Sequence, residues 1–399
     1  MNSLRAVRVL RSCGIGWLLG ATVAFAPVAG VAQGAPGKVL GLASFGRNVS
    51  NLEASIKFYE MLDFKLQGKP SAWQVDEAAN RLGGTKGVES RTAVMTVQSS
   101  MTDKPFKFVL REYRGVERAD WSKLSSSDLL SGHLDLTVLD DCNPTMDKLK
   151  AANLLKVPEM NMAGGGDANG PRRFVFVQDP DGWFIELFAL MRPAPGAPQE
   201  EPKVSNSSAT FSNIDRVGKH AGFNHLGLNI IDPPRALAFY QGVLGGDYPP
   251  LTPPGAAAPR PAAGAAASGG PGGGGQGGAA RGGPGGTGGG ARGGAAAGPG
   301  MNMMNGWFRQ AGTDRNIRVE LIGFPQQPGV KAPAMKFADI GVTYAGFQVD
   351  NLDAAYARVK AAGALTVSDG IVTTADGKAV LIRDPDVGGF IELWEPTKQ

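Results

Sequence analysis

Apolar and polar positions alternate with period two in RTAVMTVQ (91–98) and FKFVLREY (106–113). That spacing predicts two strands, each with one buried face. Upstream, LEASIKFYEML (52–62) switches to helical spacing, with Leu52, Ile56, Tyr59 and Leu62 near one face. A short strand is expected before this helix. A second strand–helix pair begins near His133, and a closing strand carries the FIEL sequence at 184–187. Asp179-Pro180-Asp181-Gly182 reads as a turn, because proline presets φ and glycine admits positive φ.

The pattern then recurs. NVSNLEASIKFYEML (48–62) has its counterpart in NIIDPPRALAFYQGVL (229–244), and HLDLTVLDDCNPTMDKLKAANL (133–154) in YAGFQVDNLDAAYARVKAAGAL (344–365). RFVFVQDPDGWFIELF (173–188) is nearly repeated as AVLIRDPDVGGFIELW (379–394). The chain is thus an internal duplication of α+β class, and each half divides into two βαβββ-like units.

Composition changes this picture at the ends and in the linkers. Residues 1–32 read as a secretory signal peptide: Arg5, Arg8 and Arg11 form a basic start, an apolar run follows, and Gly30-Val31-Ala32 suits cleavage before Gln33. A periplasmic or secreted mature protein with no membrane span is expected. Between Gly255 and Gly300 stand 21 of the 58 glycines, with alanine and proline filling most of the remainder. Such a stretch has little to bury, so 252–300 is expected to be disordered. The domains are therefore expected at 38–192 and 218–397, joined by a linker at 193–217. The formal charge of +4 falls to about +1 without the leader, which argues against a nucleic-acid partner. Two cysteines, Cys13 and Cys142, exclude a disulfide framework and a cysteine-rich zinc site.

The FY pair on the first helix, the (V/I)-x-(D/N) ending of the leading strands and the DPDG-x-x-IEL close resemble the vicinal oxygen chelate superfamily. That superfamily includes glyoxalase I, the extradiol dioxygenases, methylmalonyl-CoA epimerase and the bleomycin- and fosfomycin-resistance proteins. The resemblance implies two tandem modules, each a pair of βαβββ units forming a curved mixed sheet around a cavity. It also implies four equivalent places for metal ligands. A leading-strand ligand stands seven residues before the D/N position, which selects Ser44, His133, His225 and Tyr344. Carboxylates are expected at Glu112 and Glu320 on the middle strands, and at Glu186 and Glu392 in the closes. The first pair is aligned because each stands three residues before a glycine. The IEL close also occurs in metal-free relatives, and Glu392 is read as structural.

In glyoxalase I-like proteins a site takes two ligands from one module and two from another. Under that exchange His133, Glu186, His225 and Glu320 form one set, while Ser44, Glu112, Tyr344 and Glu392 form a second that should be empty. An unexchanged pairing would separate His133 from His225. Imidazole and carboxylate ligands suit one divalent ion, Zn, Ni, Mn, Co or Fe(II), without choosing among them. The function implied first is a metal-dependent isomerase or lyase of glyoxalase type. It would act on a small oxygenated molecule through an enediolate-type intermediate, with Glu186 or Glu320 moving the proton. Asn48 and Asn229, four residues past the first ligand place, are expected to meet substrate oxygen. Alternatives are a metal-free small-molecule binding protein like the antibiotic-sequestering members, and an extradiol-type dioxygenase using His133, His225 and Glu186. Trp73, Trp183, Trp307 and Phe308 are candidates to stack on a flat ligand. Because a tandem chain can complete the exchanged site alone, a monomer or a homodimer is expected.

Overall fold

A computed structural model of the chain describes residues 37–121, 128, 132–139, 142–155, 174–190, 221–249, 302–323, 334–386 and 388–397. The expected leader at 1–32, the linker at 193–217 and the glycine-rich insert at 252–300 lie outside the described residues, as do Asp140 and His220. The first unit comprises β1 (Val39–Val49), α1 (Leu52–Met61), β2 (Lys65–Leu66), β3 (Gln74–Val75), α2 (Glu77–Leu82), β4 (Glu89–Val97) and β5 (Phe106–Arg114). The second holds β6 (His133–Leu139), α3 (Asn143–Ala151), β7 (Phe174–Gln178) and β8 (Phe184–Leu190). The third holds β9 (Gly222–Ile230), α4 (Pro233–Tyr240), β10 (Asn302–Arg309) and β11 (Asn316–Gly323). The fourth comprises β12 (Thr343–Val349), α5 (Leu352–Ala361), β13 (Leu365–Thr366), β14 (Val372–Thr374), β15 (Gly377–Arg383) and β16 (Phe390–Pro396).

The fold is α+β, with two mixed sheets. A ten-stranded sheet runs β13-β15-β16-β12-β1-β5-β4-β2, with β14 on β15 and β3 on β4. A six-stranded sheet runs β10-β11-β9-β6-β8-β7. Each sheet therefore takes one unit from each half of the chain. The leading strands meet antiparallel at both centres, β1 with β12 and β6 with β9. Inside each unit the leading strand runs parallel to the last, as in β6 with β8. One hydrophobic core joins the sheets. Phe45 of β1 lies 4.4 Å from Phe108 in its own sheet and 5.2 Å from Phe223 in the other, measured between ring centres. No helix among the described residues is long and apolar enough to cross a membrane.

The repeated motifs have physical work in these joints. The D/N residue is a helix N-cap: Asn51, Asp232 and Asn351 accept from the backbone N–H of Ala54, Arg235 and Ala354. The tyrosine of the FY pair reaches the Asp-Pro-Asp turn. Tyr59 donates to Asp179 at 2.9 Å, and Tyr240 donates to Asp384 at 3.5 Å. The second aspartate of each turn accepts at the helix entry, Asp181 from Ser50 N–H and Asp386 from Ile231 N–H. The two turns differ in one partner. In the first half Arg47 pairs with Asp179 at 2.6 Å and donates to the carbonyls of Asp181 and Gly341. Its guanidinium also lies 5.2 Å from the centre of the Trp183 ring.

Both Arg47 and Asp179 are almost wholly buried. Removing one charge strands the other in low dielectric, which costs more than the pair contributes. Asp179→Ala is expected to lower unfolding free energy by about 3–5 kcal/mol in urea titrations. A loss below about 1 kcal/mol, the range of an exposed ion pair, would contradict this reading.

Candidate metal centre

The outer face of the six-stranded sheet carries a row of ionisable side chains. Strand alternation sends Leu134, Leu136, Ile185, Leu187, Val319 and Leu321 into the shared core. Their neighbours His133, Asp135, Glu186 and Glu320 are turned to the opposite face. The pairing register then aligns them across four strands. Glu186, Asp135, His225 and Arg318 stand side by side on β8, β6, β9 and β11. The next row is Phe184, His133, Gly227 and Glu320. All of the charged and imidazole groups in these rows are buried.

Gly227 makes the convergence possible. A Cβ there would lie 2.1 Å from the His133 ring, so only glycine leaves the imidazole room to lean across β9. His133 Nε2 then lies 3.1 Å from His225 Nε2, 3.1 Å from Glu186 Oε2 and 3.5 Å from Glu320 Oε2. His225 Nε2 lies 3.4 Å from the same Glu320 oxygen. Donors bound at about 2.0–2.2 Å around one tetrahedral ion stand roughly 3.3–3.6 Å apart. The spacing of His133, His225 and Glu320 therefore fits a single divalent cation, and Glu186 stands beside His133 as the candidate fourth donor. Donor atoms of His133, His225 and Glu320 all lie within 4.8 Å of one another, as do those of Asp135, Glu186 and His225.

A β-bulge aims His225. Asp135 pairs with His225 while Leu136 pairs with Phe223, leaving Asn224 as the extra residue. Asn224 donates to Thr137 Oγ1 at 3.1 Å and places its Oδ1 3.1 Å from His225 Nδ1. That contact favours a proton on Nδ1 and a lone pair on Nε2, the nitrogen facing the other donors. Arg318 Nη2 also abuts His225, touching Nδ1 and lying 3.2 Å from Nε2. A guanidinium can only donate, so it favours the other tautomer.

Electrostatics divide the carboxyls. Burial pushes Glu186 up to about 8, and the Glu320 charge adds to the rise. Burial also carries Asp135 well above the carboxylate range, with Glu186 as its next cause and hydrogen-bond partner. Burial alone would raise Glu320, but its hydrogen bond to His225 and nearby positive charge hold it low. Burial depresses both histidines, and Arg318 depresses His225 further. These directions favour neutral imidazoles and a proton on the Glu186–Asp135 pair, with the negative charge on Glu320.

The ten-stranded sheet is laid out alike and filled differently. Ser44 and Tyr344 occupy the counterparts of His225 and His133, and Glu392 that of Glu186. The expected fourth member, Glu112, is corrected by the register. Gly46 pairs with Val109 as Gly227 pairs with Glu320, so Val109 is the counterpart of Glu320. Glu112 faces the helix side, where it accepts from Leu52 N–H at 3.0 Å and pairs with Arg91. The three-residue spacing to glycine misled because β5 and β11 differ in how far they run past that register. Arg111 lies near Tyr344 and Glu392, and Phe337, Phe390 and Leu82 pack around Tyr344. Leu82 brings α2 into this packing.

Asn48 and Asn229, the expected substrate contacts, lie on the outer faces, where their amides hold chain segments. Asn48 donates to the carbonyl of Phe337, and Asn229 to that of Asp128 at 2.7 Å. Trp183 and Phe308 belong to the shared core, and Trp73 lies beneath Arg91 and Arg114. Of the four aromatic candidates, Trp307 alone shares the row of Arg318. Asp135, Asn224, Gly227 and Arg318 were not singled out from the sequence. Period-two counting from His133, His225 and Glu320 reaches Asp135, Gly227 and Arg318; the bulge at Asn224 leaves no such signal.

Residues 222–390 match the model of the Glyoxalase/Bleomycin resistance protein/Dioxygenase superfamily. The comparison with curated proteins finds no match. Among solved structures the chain is similar to glyoxalase I from Zea mays, at 14% identity over 90% of this chain and 92% of that one, with a TM-score of 0.44. It is similar to a putative dioxygenase from Bacillus subtilis at 11% identity, covering 91% and 87%, with a TM-score of 0.44. Part of it is similar to the trypanothione-dependent glyoxalase I of Leishmania major, at 21% identity over 37% of this chain and 85% of that one, with a TM-score of 0.25.

Two predictions follow the geometry. Gly227→Ala forces the His133 ring aside and should destabilise the protein by about 1–3 kcal/mol, as overpacking does. Unchanged urea unfolding would show that the ring is not confined. Glu186 holds its proton more tightly folded than unfolded, since its folded value exceeds the unfolded value of about 4.3. Its contribution to the stability of EDTA-treated protein is therefore full below that value and lost as pH rises through about 8. Glu186→Gln should remove this loss, so its stability relative to wild type rises between pH 5.5 and 8.5. Parallel pH profiles for the two proteins would contradict the assignment.

Proposed function

With the chain placed in the vicinal oxygen chelate superfamily through residues 222–390, we propose that it is a divalent-metal-dependent isomerase or lyase acting on a small oxygenated molecule. One observation carries this reading. His133, His225 and Glu320, drawn from both halves of the chain, converge at 3.1–3.5 Å on the face turned away from the core, and Glu186 lies 3.1 Å from His133.

His133, Glu186, His225 and Glu320 would hold the ion. When bound, a divalent cation supplies Lewis acidity that favours negative charge on neighbouring oxygens of the bound molecule. The chain's own residues account for the proton. Glu186 hydrogen-bonds Asp135, so a proton taken up at its carboxyl has a second carboxyl to share it. Glu320 has His225 and His133 as neighbours and stays a fixed anionic donor. In this reading Glu186 moves a proton between carbons and Glu320 positions the cation. Asn229 lies two residues past Gly227 on the face that carries the site. It is the substrate-contact candidate of this sheet, whereas Asn48 lies on the other sheet. Glu186 as a fourth donor would set the site apart from a three-ligand arrangement of two histidines and one carboxylate, which would suit a non-haem iron oxygenase.

Mature protein should contain about one divalent ion per chain by mass spectrometry, and a His133→Ala/His225→Ala variant should contain none. Absence of metal from wild type after exposure to Zn, Ni, Mn, Co and Fe(II) would overturn the catalytic reading. Because Glu186 must lose its proton to ligate, metal affinity should rise steeply between pH 6 and 8 and binding should release protons. Calorimetry in buffers of different ionisation enthalpy measures that release, and zero release at pH 7 in both wild type and Asp135→Asn, where no second carboxyl can take the proton, would remove Glu186 from the ligand set.

A further inference from the structure

Arg318 is the one member of the buried rows that the proposed chemistry does not use. It stands on β11 two residues before Glu320, on the same face and beside His225. Its exposure is 8%. Its Nη2 touches the His225 ring, and its Nε has no hydrogen-bond partner. Among the described residues no carboxylate comes within ion-pair distance of it. A guanidinium in such a place is costly, because a buried charge is ordinarily paired. Asp135, one strand further, instead hydrogen-bonds Glu186 and lies 3.7 Å from His225.

Its free donors point to what completes it. Nε has no hydrogen-bond partner and Nη2 meets the His225 ring. The neighbouring carboxyls of Glu320, Glu186 and Asp135 act on its charge without taking these donors. An anion that enters beside the cation can accept from them. We infer that Arg318 recognises a carboxylate on the substrate, so that the site takes small carboxylic acids bearing a 2-oxo or 2-hydroxy oxygen. Such acids present two neighbouring oxygens and keep an outer carboxylate oxygen for the planar donors of arginine. The His225 contact, which opposes the tautomer set by Asn224, is relieved when the guanidinium turns to that oxygen. This inference rests on the metal-site reading given above.

The test uses zinc-loaded full-length protein, with pyruvate and its uncharged analogue hydroxyacetone as probes. Binding is read by calorimetry and zinc content by mass spectrometry. Wild type should bind pyruvate about tenfold or more tightly than hydroxyacetone, the scale of one hydrogen bond to a charged group. Arg318→Gln should lose that preference while keeping one zinc per chain and its affinity for hydroxyacetone. Arg318→Lys, which keeps charge without the fork, should recover part of it and shows that the position tolerates change. If zinc-loaded wild type binds the two probes alike, or Arg318→Gln keeps the preference, the inference is overturned and the metal reading stands. If wild type takes up no zinc, the metal reading fails and this inference with it, so zinc content separates the two failures.

Discussion

Every donor at the candidate centre depends on the antiparallel pairing of β6 with β9. His133 and His225 are 92 residues apart in the chain, and this ladder alone brings their strands side by side. Strand side chains alternate faces, so a slip of one residue would turn a histidine into the core and a leucine outward. The bulge at Asn224 absorbs one residue locally and leaves His225 in register with Asp135. The flanking parallel ladders then add Glu186 on one side and Glu320 on the other. Because each half of the chain contributes two donors, neither half could assemble the cluster alone.

The two sheets show what duplication permits. Their register is the same, and what stands at equivalent positions differs. Where one face has His225, Glu320 and Arg318, the other has Ser44, Val109 and Lys107. Where one has His133 against Gly227, the other has Tyr344 against Gly46. The aromatic filling of the ten-stranded sheet gains apolar burial at little electrostatic cost. The polar cluster of the other sheet has the opposite balance: three carboxyls, two imidazoles and a guanidinium taken from water. A bound cation would offset that cost, so the cluster makes better sense as a candidate binding site than as core.

Much of this was legible in the sequence. The repeats reveal four units because the Asp-Pro-Asp turn, the FY pair and the N-cap are joint contacts that each copy must keep. Counting back seven residues reaches His225 from the N-cap Asp232 and His133 from Asp140, although the helix after His133 is capped at Cys142. Glu186 was reachable from the closing FIEL sequence, and Glu320 from its three-residue distance to Gly323. The counting failed at Glu112, whose strand reaches further past the shared register and turns that side chain to cap α1. Arg318 and Asp135 were missed because charged residues within strands read as solvent-facing until the pairing shows them buried. Asn224 was illegible, since a bulge is decided by two strands together and neither carries it alone. Asn48 and Asn229 were found as positions, but the segments they hold arrive from distant parts of the chain.

X-ray absorption spectroscopy of the zinc-loaded protein tests the central claim most directly, because it reads the donors themselves. A centre assembled from both halves should show two imidazole nitrogens at about 2.0–2.1 Å, with oxygen donors completing the shell. Each of the single variants His133→Ala and His225→Ala should then lose one imidazole from the signal or lose the ion. A spectrum with one imidazole or none, or one unchanged by either substitution, would contradict a metal site built across the β6–β9 pairing.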